Sequence, residues 1–215
     1  MRITVSTFRC MLLVAACCCA IGGCVVAVGG AALGGAVVAT DRRSVGMQIE
    51  DAQIEHRINS ALDDRFARES VDIGVTSYNQ KVLLTGQVPH DKDRGDAEAI
   101  ASASENVRMV VNELTIGSLS GLSSRTDDNL LAGKVRSALL DVPGLATGAV
   151  KVTCTDGTVY LLGRVGTTEA DIAKRTASHV NGVKRVVALF DLLTDAELAQ
   201  YQHEAKSPAP AGSSQ

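Results

Sequence analysis

Two cysteines carry the chemistry this sequence could support, and they sit in opposite settings. Cys24 follows Ile21-Gly22-Gly23, behind a basic start (Arg2, Arg9) and an apolar run from Met11 to Ile21. A basic segment, a short apolar run and small residues before a cleavage point form the order of an export signal. The chemistry expected at Cys24 is thioether transfer of a diacylglycerol, cleavage before the cysteine, and acylation of the new amino group. One acyl chain binds a membrane marginally, whereas two or more anchor stably. Cys10, Cys17, Cys18 and Cys19 fall in the removed signal, so Cys154 is the remaining thiol and no internal disulfide can form. Cys154 keeps period two with Val150 and Val152, which predicts a buried strand position rather than a nucleophile.

Other reactive types are dispersed. His56, His90, His179 and His203 lack metal-ligand spacing, and no GxSxG, P-loop or HExxH pattern occurs. The acid pairs Asp63-Asp64, Asp91/Asp93 and Asp127-Asp128 fall where capping or solvation accounts for them, and His179 falls at a helix end. No catalytic residue, metal or cofactor is therefore expected. The Ile21–Cys24 run looks like a bacterial lipobox. Val25, which is not Asp, matches the sorting rule for transfer to the outer membrane. The alternative is an uncleaved membrane helix, since no charge lies between Met11 and Ala39 and Gly30/Gly34 make a GxxxG spacing. Against it, Gly29, Gly30, Gly34 and Gly35 interrupt the segment.

The elements behind these residues repeat at an offset of 77. Ile54, Ile58 and Leu62 match Leu131, Val135 and Leu139, each set spaced as a helix face. Val82–Val88 matches Val159–Val165, and with one deletion Val107, Val110 and Val111 match Val183, Val186 and Val187. The second helix is expected to open behind Thr126-Asp127-Asp128. Strands are predicted at 71–77 with 81–88, and at 149–154 with 158–165, joined by turns at Tyr78-Asn79-Gln80 and Thr155-Asp156-Gly157. Helices over 91–105 and 167–180 lead to strands at 109–116 and 184–192. Each half thus reads αββαβ, an α+β unit with a three-stranded mixed sheet packed on two helices. Gly86 and Gly163 sit inside strands, where a close approach is needed, and a tightly packed helix over each is expected.

The organisation is then a signal at 1–23, a lipidated Gly/Ala-rich segment at 24–46, domains at 47–116 and 127–193, a linker at 117–126 rich in Gly and Ser, and a polar tail at 194–215. The tail is read as a short helix at about 195–203 and then disorder. Without Trp and with 3% aromatics, the cores must be aliphatic. The first domain holds thirteen acids and seven Lys/Arg, the second seven and eight. An excess of one cation is too weak to suggest nucleic acid, but an anionic surface would repel the first domain more than the second.

The αββαβ unit with Val-x-Leu-x-Gly-x-Val in its second strand resembles the BON domain. Two such units behind a lipobox resemble the dual-BON outer-membrane lipoproteins of the DolP (YraP) group. The resemblance runs from about Cys24 to Leu193. It is carried by Ala39–Gly46, Arg57–Leu62, Lys81–Gly86, Lys134–Ser137 and Gly182–Val186. It implies a non-enzymatic, periplasm-facing outer-membrane lipoprotein that supports the permeability barrier and binds anionic phospholipid through its second BON domain. It also implies links to the division site and to outer-membrane protein assembly.

The repeat points to the same domain. Off the core face, the first helix shows Gln53, Arg57, Ser60 and Asp63, whereas its counterpart shows Leu130, Lys134, Ser137 and Leu140, with Arg125 and Arg136 nearby. Apolar residues beside cations suit an interfacial contact in which Lys buries its stem and meets a headgroup. These six residues are the candidate lipid surface. Alternatively, Leu130 and Leu140 pack on the first domain. A protein-interaction adaptor, with the acidic first domain docking an assembly factor or a cell-wall enzyme regulator, is the other function class. A monomer is expected.

Overall fold

The computed structural model describes residues 41–67, 69–117, 122–146 and 148–206. The export signal, Cys24, the Gly/Ala-rich segment up to residue 40 and residues 207–215 lie outside the described residues. The first half contains α1 (Val45–Arg65), β1 (Asp72–Tyr78), β2 (Lys81–Val88), α2 (Asp91–Ala103) and β3 (Met109–Ile116). The second contains α3 (Leu122–Leu140), β4 (Val150–Thr155), β5 (Thr158–Val165), α4 (Thr167–Ser178) and β6 (Arg185–Leu192), followed by α5 (Asp195–Lys206). The expected linker is shorter than its reading, because α3 already begins at Leu122. Thr126-Asp127-Asp128 therefore lies inside the helix rather than capping it.

Each sheet pairs its first two strands antiparallel and its second and third parallel, so β2 and β5 are central. The helix-spaced residues Ile54, Ile58 and Leu62 meet Ala97 and Ala101 of α2 and Val82, Leu84 and Val88 of β2. Val135 and Leu139 meet Ala173, Ala177, Val159 and Leu161 in the same way. Both helices of each half thus cover one face of its sheet. The turns place Asn79, Gln80, Asp156 and Gly157 at positive φ, the two-residue geometry that suits the twist of a hairpin.

The helix expected over Gly86 and Gly163 is not what crowds them. A Cβ on Gly86 would lie 1.9 Å from the Asp72 carbonyl oxygen, and one on Gly163 would lie 2.3 Å from that of Ala149. The close approach comes from the main chain at the start of the neighbouring antiparallel strand. Gly86 also has φ +113°, a region L residues rarely adopt.

The remaining sheet faces pack on each other. Tyr78, Leu83 and Val111 of the first sheet meet Tyr160, Leu162, Val187 and Leu189 of the second. The two halves therefore stack as helix, sheet, sheet, helix, and every residue of β2 is buried. Each hairpin reaches the other sheet. Lys81 pairs with Asp191 at 2.9 Å and Asn79 donates to Asp191 at 2.8 Å, while Gln87 donates to Asp156. At the rim, Lys151, Arg185 and Arg125 of the second half pair with Glu55, Glu113 and Asp72 of the first. Part of the first domain's acidic surplus is thus neutralised by its neighbour.

A repeated carboxylate holds each hairpin turn. Asp51 on α1 accepts from the Ser77 hydroxyl (2.7 Å), Asn79 N–H (2.7 Å) and Gln80 N–H (2.8 Å). Asp128, at the equivalent place on α3, accepts from Cys154 Sγ (3.3 Å), Asp156 N–H (2.8 Å) and Gly157 N–H (2.9 Å). Burial alone would raise the pKa of Asp51. The Gln80 N–H, the Ser77 hydroxyl and Arg43 outweigh it and hold the carboxyl below its usual range.

The segment before α1 straddles both halves. Arg42 makes a two-pronged ion pair with Glu169 of α4, at 2.6 and 2.7 Å, with 5% and 8% of the two side chains exposed. It also donates to the Arg164 carbonyl at 2.8 Å. The adjacent Arg43 turns to the first half, pairing with Asp51 at 2.8 Å and lying 4.1 Å over the Tyr78 ring. Cys154 is half-buried, and burial together with the Asp128 carboxylate pushes its thiol up to about 12. That is the opposite of nucleophile activation.

Candidate functional site

The outer face of α3 is the strongest candidate. The core residues Leu131, Ala132, Val135 and Leu139 turn inward, which sets Leu130, Lys134, Ser137 and Leu140 outward. Leu130 is 60% exposed and Leu140 56% exposed, so neither packs on the first domain. On α1 the corresponding Gln53, Ser60 and Asp63 are exposed and polar, while Arg57 is half-buried and pairs with Glu50. The difference between the two helices is therefore one of surface chemistry on a shared frame.

Six residues were expected to act together, and the structure divides them. Leu130 and Lys134 line one cleft of about 330 Å³ with Lys184, Asn181 and the carboxylates Asp127, Asp128 and Asp156. Arg136 and Leu140 flank a smaller hollow of about 150 Å³ with Leu139, Leu145 and Val150. Ser137 is exposed between them. Arg125 does not join the face: it reaches the first domain and pairs with Asp72 at 2.8 Å. Its side chain stays 56% exposed in that pair, so this cation contributes to domain pairing from the rim. Cys24 lies outside the described residues.

Two exposed features were missed by the sequence reading. Val45 and Ile49 stand one turn apart on α1, both more than half exposed. Lys174, Arg175, Lys184 and Arg185 converge between α4 and β6. The signal for the second was present in the sequence as two dibasic pairs ten residues apart, flanking a helix end and a strand start. Among the described residues, no helix is long and apolar enough to cross a membrane, and no group of three potential metal ligands occurs.

Comparison with known proteins agrees with this architecture. The BON domain family model matches residues 50–118 and 127–193. The chain is 33% identical over 191 residues to outer membrane lipoprotein DolP of Haemophilus influenzae, covering 88% of this chain and 99% of that protein. It is 32% identical over 152 residues to the 21 kDa hemolysin of Actinobacillus pleuropneumoniae, covering 70% and 78%. It is 30% identical over 158 residues to Osmotically-inducible protein Y of Escherichia coli, covering 71% and 77%. The chain belongs to the BON-domain family and, within it, to the two-domain outer-membrane lipoproteins of the DolP group.

Proposed function

We propose that this chain is anchored through acyl chains on Cys24, faces the periplasm, and binds anionic phospholipid through α3, acting without catalysis. In this way it supports outer-membrane integrity, including at the division site. The observation that carries the reading is the exposure of Leu130 and Leu140 around Lys134 on α3, where α1 is polar. Exposed leucines beside a cation suit the headgroup boundary. A few such contacts are weak alone, but a tether confines the protein to the surface and raises its effective concentration.

The test uses the whole mature chain. A fragment holding only the second domain would uncover Tyr160, Leu162, Val187 and Leu189, which the first sheet covers, and such a face binds vesicles unspecifically. With Cys24→Ser removing the anchor, flotation on vesicles rich in phosphatidylglycerol is compared with Leu130→Glu/Lys134→Glu. Because both side chains are exposed, melting should be unchanged and binding should fall by about tenfold or more. Equal flotation would falsify the reading.

A docking role for the first domain is the second reading, favoured by the exposed Val45 and Ile49 on α1. It predicts that Val45→Ser/Ile49→Ser abolishes envelope protection in cells while vesicle binding persists. Intact protection in that variant removes it.

A further inference from the structure

The second domain holds eight lysines and arginines, and four of them line a single cleft. Lys174 and Arg175 come from the last turns of α4, and Lys184 and Arg185 from the entry to β6. The cleft measures about 390 Å³, and its other lining residues are Ser178, Val183 and Val186, with no carboxylate among them. Acids outside the lining engage two of the four: Lys174 pairs with Asp171 at 2.8 Å and Arg185 with Glu113 at 2.7 Å. Asp171 also lies within electrostatic reach of Arg175. Among the described residues, Arg175 and Lys184 make no ion pair.

A cation in the last turn of a helix is ordinarily explained by the helix dipole. That accounts for Arg175. It does not account for a second pair brought up from another element, nor for apolar walls between them. Four cationic side chains around an open cleft with apolar flanks match a phosphate oxygen cluster attached to an aliphatic body.

Lys184 belongs to both clefts. Its neighbours on one side are Lys174, Arg175 and Arg185, and on the other Leu130 and Lys134. The cationic cleft is therefore continuous with the exposed leucine face. The two also differ in a useful way. Three carboxylates line the hollow beside Lys134, whereas none lines the α4–β6 cleft, so a phosphate is better held in the latter.

We propose that the α4–β6 cleft seats the phosphate of an anionic phospholipid headgroup in the same bilayer that receives Leu130. The inference rests on the α3 reading for the side that faces the membrane, and it adds a separate headgroup subsite. Two headgroup contacts on one protein make binding depend more steeply on the anionic lipid fraction than one does.

The experiment measures binding of the whole mature chain, with Cys24→Ser, to vesicles of phosphatidylethanolamine with increasing phosphatidylglycerol. Lys174→Glu/Arg175→Glu is expected to weaken binding on the order of tenfold, to flatten its dependence on phosphatidylglycerol, and to leave melting unchanged. Lys174→Gln/Arg175→Gln should lie between, and it serves if the reversed charges disturb folding beside Asp171. Binding equal to wild type in both variants overturns the cleft, while loss in Leu130→Glu/Lys134→Glu alone leaves the α3 reading intact. The converse, loss only in the α4 variants, sinks the α3 reading and with it the shared bilayer contact of Leu130, while the headgroup subsite in the cleft stands. Saturable binding of inorganic phosphate that depends on Lys174 and Arg175, with vesicle binding unmoved by their replacement, would assign the cleft to a free anion and overturn the proposal.

Discussion

Arg42→Ala is expected to lower the melting temperature by about 10 °C, although Arg42 lies outside both αββαβ units. Arg42 and Glu169 are both buried and meet through two hydrogen bonds at 2.6 and 2.7 Å. Removing one member of a buried pair strands the other charge, at a cost of about 3–5 kcal/mol. In a body of this size each kcal/mol moves Tm by about 2–4 °C. The pH dependence identifies the cause. Burial would raise the pKa of Glu169, but Arg42 and the Gly166 N–H outweigh it and hold the carboxyl below its usual range. A depressed carboxyl contributes stability above its unfolded pKa, and that stability is lost as pH falls through the folded value. The gap between wild type and Arg42→Ala should therefore be widest near pH 7, narrow as pH falls into the ordinary carboxyl range, and close only below the depressed folded value of Glu169. Differential scanning fluorimetry across pH 3–8 checks both statements. A gap independent of pH would mean that Arg42 acts by packing alone. Arg42→Met/Glu169→Leu should recover most of the loss, since an apolar pair of similar volume removes the stranded charge.

Gly86→Ala should be as damaging, for a reason that involves no charge. The added Cβ would sit 1.9 Å from a main-chain oxygen of β1, and the residue would have to keep φ at +113°. Neither obstacle yields to side-chain rotation, because β2 is central and paired on both sides. A loss of about 4 kcal/mol or more is expected, in the range that marks a specific steric or backbone fault. Gly163→Ala meets only the first obstacle, at 2.3 Å and without the positive φ, so it should cost less. Urea titration of the two variants gives the order directly. If Gly163→Ala proves the more harmful, the φ argument is wrong.

Much of the framework was legible because the chain states it twice. Ile54/Ile58/Leu62 and Leu131/Val135/Leu139 carry the helix period, and the β2 and β5 segments carry the same strand pattern, so each half checks the other. The type of α3 was legible but its start was not. Asp127-Asp128 resembles a cap locally, and only the turn at Asp156-Gly157, distant in sequence, shows that Asp128 serves the hairpin. The glycines were read as points of close approach, but sequence period cannot say which neighbour approaches. The pairing of the two sheets left almost no local trace: Leu83 and Leu162 look like ordinary alternation partners until the second apolar face is seen to have its own cover. Leu130, Lys134 and Leu140 emerged from comparing equivalent positions. The pairing of Arg125 with Asp72 was not legible, because it joins residues 53 apart in sequence. The α4–β6 cleft was unread because its cations lie on two elements whose meeting is tertiary.

The Arg42–Arg43 clamp has a mechanical consequence. Any tension on the chain from its N-terminal side enters the body at residues that grip both halves at once, Arg42 on α4 and Arg43 on α1. The load is then shared in parallel, and peeling α1 from its sheet requires shearing the Arg42–Glu169 contact first. Had the chain run straight into α1, the first domain alone would bear the pull, and the two sheets would separate in series.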